Sequence, residues 1–279
     1  MKSRLWLNLI LLVAVGALAA VFYFKPKIEA QSGFRLSSLQ AGAVKKIVIA
    51  KTADSPITVE KHGDHWFITA PIKARADSNL ISGVLDLLSL TAKQRLPATD
   101  LTRFDLKQPW ARLTFDNQEI SFGDQHPLTR EQFIATEGYV YLIPPQYTRA
   151  LSLPSNYFLS HRPLTENETP VGFELPGLTL TQKEGKWESS PAIKLTQDQL
   201  NRFADEWRHA YCMSSRLVSG QKGPPIKIRL ANGSAVNFQL LQKEPDVVLL
   251  REDEGIAYQF PTEIGLRLLD PLAAIQAQK

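Results

Sequence analysis

The sequence predicts an α+β protein in which an N-terminal transmembrane helix precedes two repeated modules, each an antiparallel sheet packed on one main helix. Three observations predict it. An uncharged run of 20 residues, Leu5 to Phe24, opens the chain. Alternating apolar and polar residues then mark hairpin-linked strands, with one longer amphipathic segment in each half. The same order of elements recurs at offsets of 115 to 121 residues.

The 279 residues are 44% apolar, 9% aromatic and 22% charged, the make-up of a folded chain with room for about two domains. At about 1.5 Å per residue the run LWLNLILLVAVGALAAVFYF covers the roughly 30 Å hydrocarbon layer, and its polar Asn8 lies one turn from the start, near the headgroups. Ala17-Leu18-Ala19 has the small-x-small form of a signal-peptide cleavage site. The apolar run nevertheless continues through Val21-Phe22-Tyr23-Phe24 into aromatics suited to an interface, so an uncleaved anchor is expected. Lys2 and Arg4 precede the span, and Lys25 and Lys27 are soon offset by Glu29, which favours a cytoplasmic N-terminus. The expected placement is a single-pass protein of the bacterial inner membrane, held by residues 5–24, with most of the chain periplasmic.

The net charge of +4 belongs to that segment, because the first 27 residues hold four bases and no acid. The remainder is balanced, and the basic pI of 9.1 therefore supports no nucleic-acid partner. Cys212 is the sole cysteine, which excludes an intrachain disulfide.

After the anchor with its basic flanks (1–27) and a linker (28–43), a first module is expected over 44–162. Strands are read at Val44–Lys51, Ile57–Lys61 and Trp66–Thr69, with Pro71 ending the third. Asp77 is the N-cap of a helix running to about Ala92. Further strands follow at Ala111–Phe115, Glu119–Phe122, Gln132–Thr136 and Tyr139–Ile143. A linker (163–170), a second module (171–270) and a tail (271–279) complete the chain.

The second module repeats the first. Leu178 to Trp187 echoes Ile57 to Trp66, and Pro191 answers Pro71. Thr196-Gln-Asp-Gln199 is a capping box opening a helix with Leu200, Phe203, Ala204, Trp207 and Tyr211 on one face. Leu113 to Asn117 matches Ile228 to Asn232, and Gly138 to Pro144 matches Gly255 to Pro261.

Leu101-Thr-Arg-Phe-Asp-Leu-Lys-Gln-Pro109, Ile120-Ser-Phe-Gly123 and Gly138-Tyr-Val-Tyr-Leu-Ile143, with the earlier stretch from Ile57 through Trp66 and Pro71 into the helix, resemble the bacterial family called domain of unknown function 4340. The resemblance covers most of residues 44–270. It implies membrane-anchored proteins of repeated α+β modules, some linked to transport systems, and it supplies no catalytic residues. The second module departs from the pattern at Asn237-Phe238-Gln239, which lacks the Phe-Gly ending.

Chemistry is sparsely signalled. His62-Gly63-Asp64-His65 holds metal-ligand types, yet its counterpart Lys183-Glu184-Gly185-Lys186 reads as a plain turn. Asp124 and His126 fit an acid–base pair without a nucleophile, and His209 with Cys212 a dyad split by helical phase. No phosphate-binding glycine loop or nucleophile elbow is present. No cofactor or metal is expected, and Trp66 and Trp187 read as core.

The broad apolar stripe of the first helix makes Ile81, Leu85 and Leu88 an interaction surface for the other module or a partner protein. The leading expectation is a non-enzymatic, membrane-anchored periplasmic scaffold or accessory subunit of an envelope or transport assembly. The alternatives are a periplasmic module binding a glycan, peptide or lipid in a groove between the modules, near Trp110, Tyr139 and Tyr141, and a hydrolase using clustered His62, His65, Asp124 and His126.

Overall fold

The computed structural model describes residues 33–52 and 54–273. The first half contains β1 (Phe34–Arg35), β2 (Lys46–Lys51), β3 (Asp54–His62), β4 (His65–Ala70), β5 (Ala74–Arg75), helix α1 (Ser78–Leu85), β6 (Thr91–Ala92), β7 (Arg95–Pro97), β8 (Ala111–Phe115), β9 (Gln118–Gln125), β10 (Gln132–Thr136) and β11 (Tyr139–Ile143). The second contains β12 (Pro170–Leu175), β13 (Leu178–Lys183), β14 (Lys186–Ser190), helix α2 (Gln197–His209), β15 (Ser214–Leu217), β16 (Pro225–Leu230), β17 (Ala235–Gln242), β18 (Asp246–Arg251), β19 (Ile256–Pro261) and helix α3 (Thr262–Leu269).

Two large antiparallel sheets form among the described residues. Their orders are β5-β4-β3-β2-β8-β9-β10-β11-β7 and β14-β13-β12-β16-β17-β18-β19-β15. Beyond the extra edge strand β5, the second sheet follows the first strand for strand. Local chemistry explains several of the hairpins. Glu137-Gly138 and Glu184-Gly185 both take positive φ, the conformation that lets a two-residue turn match the strand twist.

Each sheet carries its main helix on one face. Helix α1 packs on the 3₁₀ segment Pro145–Ser152, and α2 packs on α3, so the same pair of elements closes each core. Trp66 and Trp187 are buried at equivalent places, and Trp187 joins Phe173, Phe203, Trp207 and Phe238 in an aromatic cluster. The opposite face of the first sheet is covered by Phe104 and Leu106 packing on Val140.

Between the sheets, the chain from Phe158 to His161 is a shared edge. Ser160 N donates to Arg75 O at 2.8 Å and Asp77 N to Phe158 O at 2.8 Å, while Cys212 N donates to His161 O at 2.9 Å. The junction is internal rather than a solvated linker, and Leu164 is 1% exposed.

Several expectations are corrected. Helix α1 stops at Leu85 and a 3₁₀ turn, Asp86–Ser89, follows it, because Thr91 and Ala92 are drawn out to pair with β1. Tyr211 lies beyond the end of α2 and is exposed. The span Leu5–Phe24 and the tail residues 274–279 lie outside the described residues. No described helix is long and apolar enough to cross a membrane. The longest, α2, has 13 residues, about 20 Å against the roughly 30 Å required. Among the described residues the fold is repeated α+β modules with no transmembrane helix, and the inner-membrane, single-pass and periplasmic assignments, with the membrane as partner, find no support in them.

Candidate functional site

Strand β2 ends at Lys51, whose ammonium is drawn inward. Its Nζ donates to Leu153 O at 2.6 Å and pairs with Asp54 Oδ2 at 2.6 Å, leaving the side chain 9% exposed. Asp54 also accepts from Ser155 Oγ at 3.0 Å. These bonds tie the start of β3 to the segment Leu153–Ser155, which crosses over it, and they hold the Asp54 carboxyl below its usual pKa.

Two clefts meet at Asp54. The wider, about 620 Å³, runs past Lys51, Trp110, Asp124 and Gln132 to the Thr148–Pro154 segment. Its floor is rigid: Gln132, 1% exposed, donates through Nε2 to the carbonyls of Gly123 at 2.7 Å and Asp124 at 3.0 Å. The narrower, about 440 Å³, is lined by Ile57, Ile68, Ile72 and Leu159 of the first module and by Leu217 of the second. Both volumes suit a small ligand or a peptide side chain. The second cleft is walled by both modules, so the shared edge of the fold determines its shape.

A polar cluster lies under the same junction. Asp77 caps α1 through Oδ1, accepting from Asn79 N at 3.1 Å and Leu80 N at 3.0 Å. Its Oδ2 accepts from Tyr211 Oη at 3.2 Å and faces His161 Nδ1 at 3.2 Å. A carboxylate only accepts, so the His161 proton sits on Nδ1. Burial acts to raise the Asp77 pKa, but the bonds from His161 and Leu80 outweigh it and hold the carboxyl low. Although part of the Tyr211 side chain is exposed, burial around its hydroxyl and the Asp77 carboxylate push it up to about 12, which keeps it a neutral donor. Arg75 reaches across to Glu254, Tyr258 and the carbonyl of Arg162. Arg251 binds Glu168 with two nitrogens at 2.8 and 2.6 Å and Asp253 on its other side. Sequence reading reached Asp77 only as a cap. The other members lie up to 183 residues apart along the chain, as in the Arg75–Tyr258 bond.

The sequence-derived chemical sites are dispersed. His62 and His65 face each other across the β3–β4 turn. Asp124 lines the wide cleft, whereas His126 lies in another, with its Nδ1 accepting from Thr129 N at 3.2 Å in its own turn. His209 bonds back to Asp205 O and stays on the surface of α2. Cys212 is 2% exposed, and burial pushes its thiol up to about 12, so it is no nucleophile at neutral pH. No group of three or more His, Cys, Asp and Glu suited to a metal ion occurs among the described residues.

The aromatic trio also separates. Trp110 lines the wide cleft, but Tyr139 stacks on Arg95, whose guanidinium sits 4.4 Å from its ring and 4.5 Å from that of Phe34. Tyr141 is buried. Ile81, Leu85 and Leu88 are 0%, 9% and 1% exposed within the core, so they form no surface for a partner. The wide stripe of α1 is used by its own module, against β4 and the Pro145–Ser152 segment.

A family model described as a domain of unknown function, DUF4340, matches residues 66–207. The matched stretch is shorter than the 44–270 resemblance. It runs from Trp66 in β4 to Trp207 in α2, and so takes most of the first module, the junction and the start of the second. No curated protein and no solved structure matches the chain.

Proposed function

The chain belongs to the DUF4340 family, and we propose that it is a non-catalytic ligand-binding protein whose site is the groove at the junction of its two modules. The expected membrane-anchored scaffold is replaced, because the described residues offer no anchor and the helix face assigned to a partner is core. The observation that supports binding is the apolar cleft of about 440 Å³ walled by Ile57, Ile68 and Ile72 on one side and by Leu217 on the other. It adjoins the wider cleft at Asp54, and Trp110 and polar side chains line that second cleft. Apolar concavity with a few placed polar groups is the usual form of a binding site. The dispersal of His62, His65, Asp124 and His126 weighs against a hydrolase.

Thermal unfolding in the presence of short glycans, peptides and single-chain lipids tests the reading. Ser55 is exposed at the lip of the narrow cleft, so Ser55→Trp should fill the cleft without touching the core. At least one class should raise the Tm of the parent protein and leave the variant unmoved, since ligand at about 100 Kd adds roughly 2.7 kcal/mol to stability. No shift with any class, or equal shifts in both proteins, would overturn the assignment.

A further inference from the structure

We infer that the groove takes an extended peptide, with an apolar side chain in the narrow cleft and a basic side chain beside Trp110 and Asp124 in the wide one. The inference rests on the binding reading above and adds the class of ligand.

The narrow cleft is built for an apolar group. Ile57, Ile68 and Leu159, at 3%, 3% and 2% exposure, form its floor, and Ile72 and Leu217 form its sides. Its polar residues, Asp54, Ser55, Ser155 and Asn156, come from the start of β3 and the crossing segment. An aliphatic side chain entering it would leave water without stranding a polar group.

The wide cleft carries three charged side chains, Lys51, Asp54 and Asp124. Lys51 is already spent on Asp54 and on Leu153 O, and Asp54 is neutralised in return. Asp124 remains exposed, and its carboxylate accepts from the amide of Gln125 at 2.7 Å. The cleft therefore presents one unneutralised negative charge. Trp110, half-buried and tilted on Phe122 at 6.0 Å between ring centroids, supplies an indole in the same cleft. A carboxylate and an indole lining one cleft suit an ammonium or guanidinium group, by charge and by attraction to the ring face.

Other ligands fit this pattern less well. An anion would meet Asp124 with Lys51 unavailable. An acyl chain long enough to fill both clefts would pass the Lys51–Asp54 pair, Gln132 and Thr148. An extended peptide meets both demands, because residues two apart project to the same side and its backbone can bond to polar groups at the lip.

Fluorescence anisotropy with the full chain and a labelled pentapeptide, Gly-Leu-Ser-Arg-Gly, tests the inference beside versions carrying Ala for Leu or Glu for Arg. The parent peptide should bind. The Ala version should lose at least about tenfold, the usual scale for emptying an apolar pocket. The Glu version should lose severalfold at low salt, and the gap should narrow as salt screens it. In the Asp124→Asn protein the Arg and Glu peptides should bind nearly alike.

Equal binding of Arg and Glu peptides to the parent protein would overturn the basic requirement. Failure of all three peptides, while a glycan or lipid shifts the Tm of the parent protein but not of Ser55→Trp, would overturn the peptide class and leave the groove assignment standing. Absence of any Tm shift would remove both.

Discussion

Gly123 has no room for a side chain. A Cβ there would lie 2.1 Å from Phe104 O and 2.8 Å from Leu106 Cγ, where the covering loop crosses β9. This contact joins two motifs that are separate in the sequence, Leu101–Pro109 and Ile120–Gly123. The second module solves the same crossing from the other side: Gly223 lies in the loop, and a Cβ on it would meet Leu240 O of β17 at 2.0 Å. The missing Phe-Gly ending at Phe238-Gln239 is thus no loss of the crossing, because the glycine sits on the opposite partner. Gly123→Ala should destabilise the protein by about 1–3 kcal/mol, as overpacking against backbone does. Urea unfolding would measure it, and an unchanged midpoint would mean that the loop lifts freely from the strand.

Regular elements were the most legible part of the sequence. Ala111–Phe115, Gln132–Thr136 and Tyr139–Ile143 form strands with the bounds that their alternation indicates. The Thr196 capping box is present, with Thr196 accepting from Gln199 N at 3.3 Å and Gln199 Oε1 accepting from Thr196 N at 2.9 Å. Thr196→Ala should therefore cost about 1 kcal/mol, read as a lower urea midpoint, with Thr196→Ser nearly neutral. Edge elements were hidden, because β5 and β7 have 2 and 3 residues, too few for a period to show. The β18 run Asp246–Arg251 is buried on both faces and so carries no alternation, while its final Arg251 is buried and pairs with Glu168 and with the exposed Asp253. The groove was illegible for another reason. Asp54, Trp110, Ser155 and Leu217 converge only after the two sheets share an edge, whereas helical periodicity alone directed attention to Ile81, Leu85 and Leu88.

At the scale of the molecule, the modules meet through buried charge as well as through the shared chain. Arg75 and Glu254 are each 14% exposed and come from different modules. Arg75→Met should cost about 3 kcal/mol, because it leaves the Glu254 carboxylate buried without its main partner. Arg75→Met combined with Glu254→Gln should cost less than that single change, and denaturant titration of the two variants separates a paired charge from simple packing. Acid should act on the same junction. Burial pulls upward on Asp77, Glu168 and Asp253, yet bonds from His161 to the first and from Arg251 to the other two hold all three below their ordinary pKa. The unfolded chain binds those protons at higher pH, so this stabilisation is full above about 4.5 and is lost as pH falls through the lower folded values. Unfolding midpoints should be steady in that contribution from pH 7 to 5 and fall below about 4. A junction insensitive to acid would mean that these carboxylates are not held as described.

The groove itself is most directly tested by methyl NMR of isoleucine-labelled protein, titrated with the panel compound that most raises the Tm. Binding at the junction should shift the methyls of Ile57, Ile68 and Ile72 together while leaving Ile226 and Ile228, in the core of the second sheet, in place. Shifts at the second sheet without change at the three groove isoleucines would contradict it.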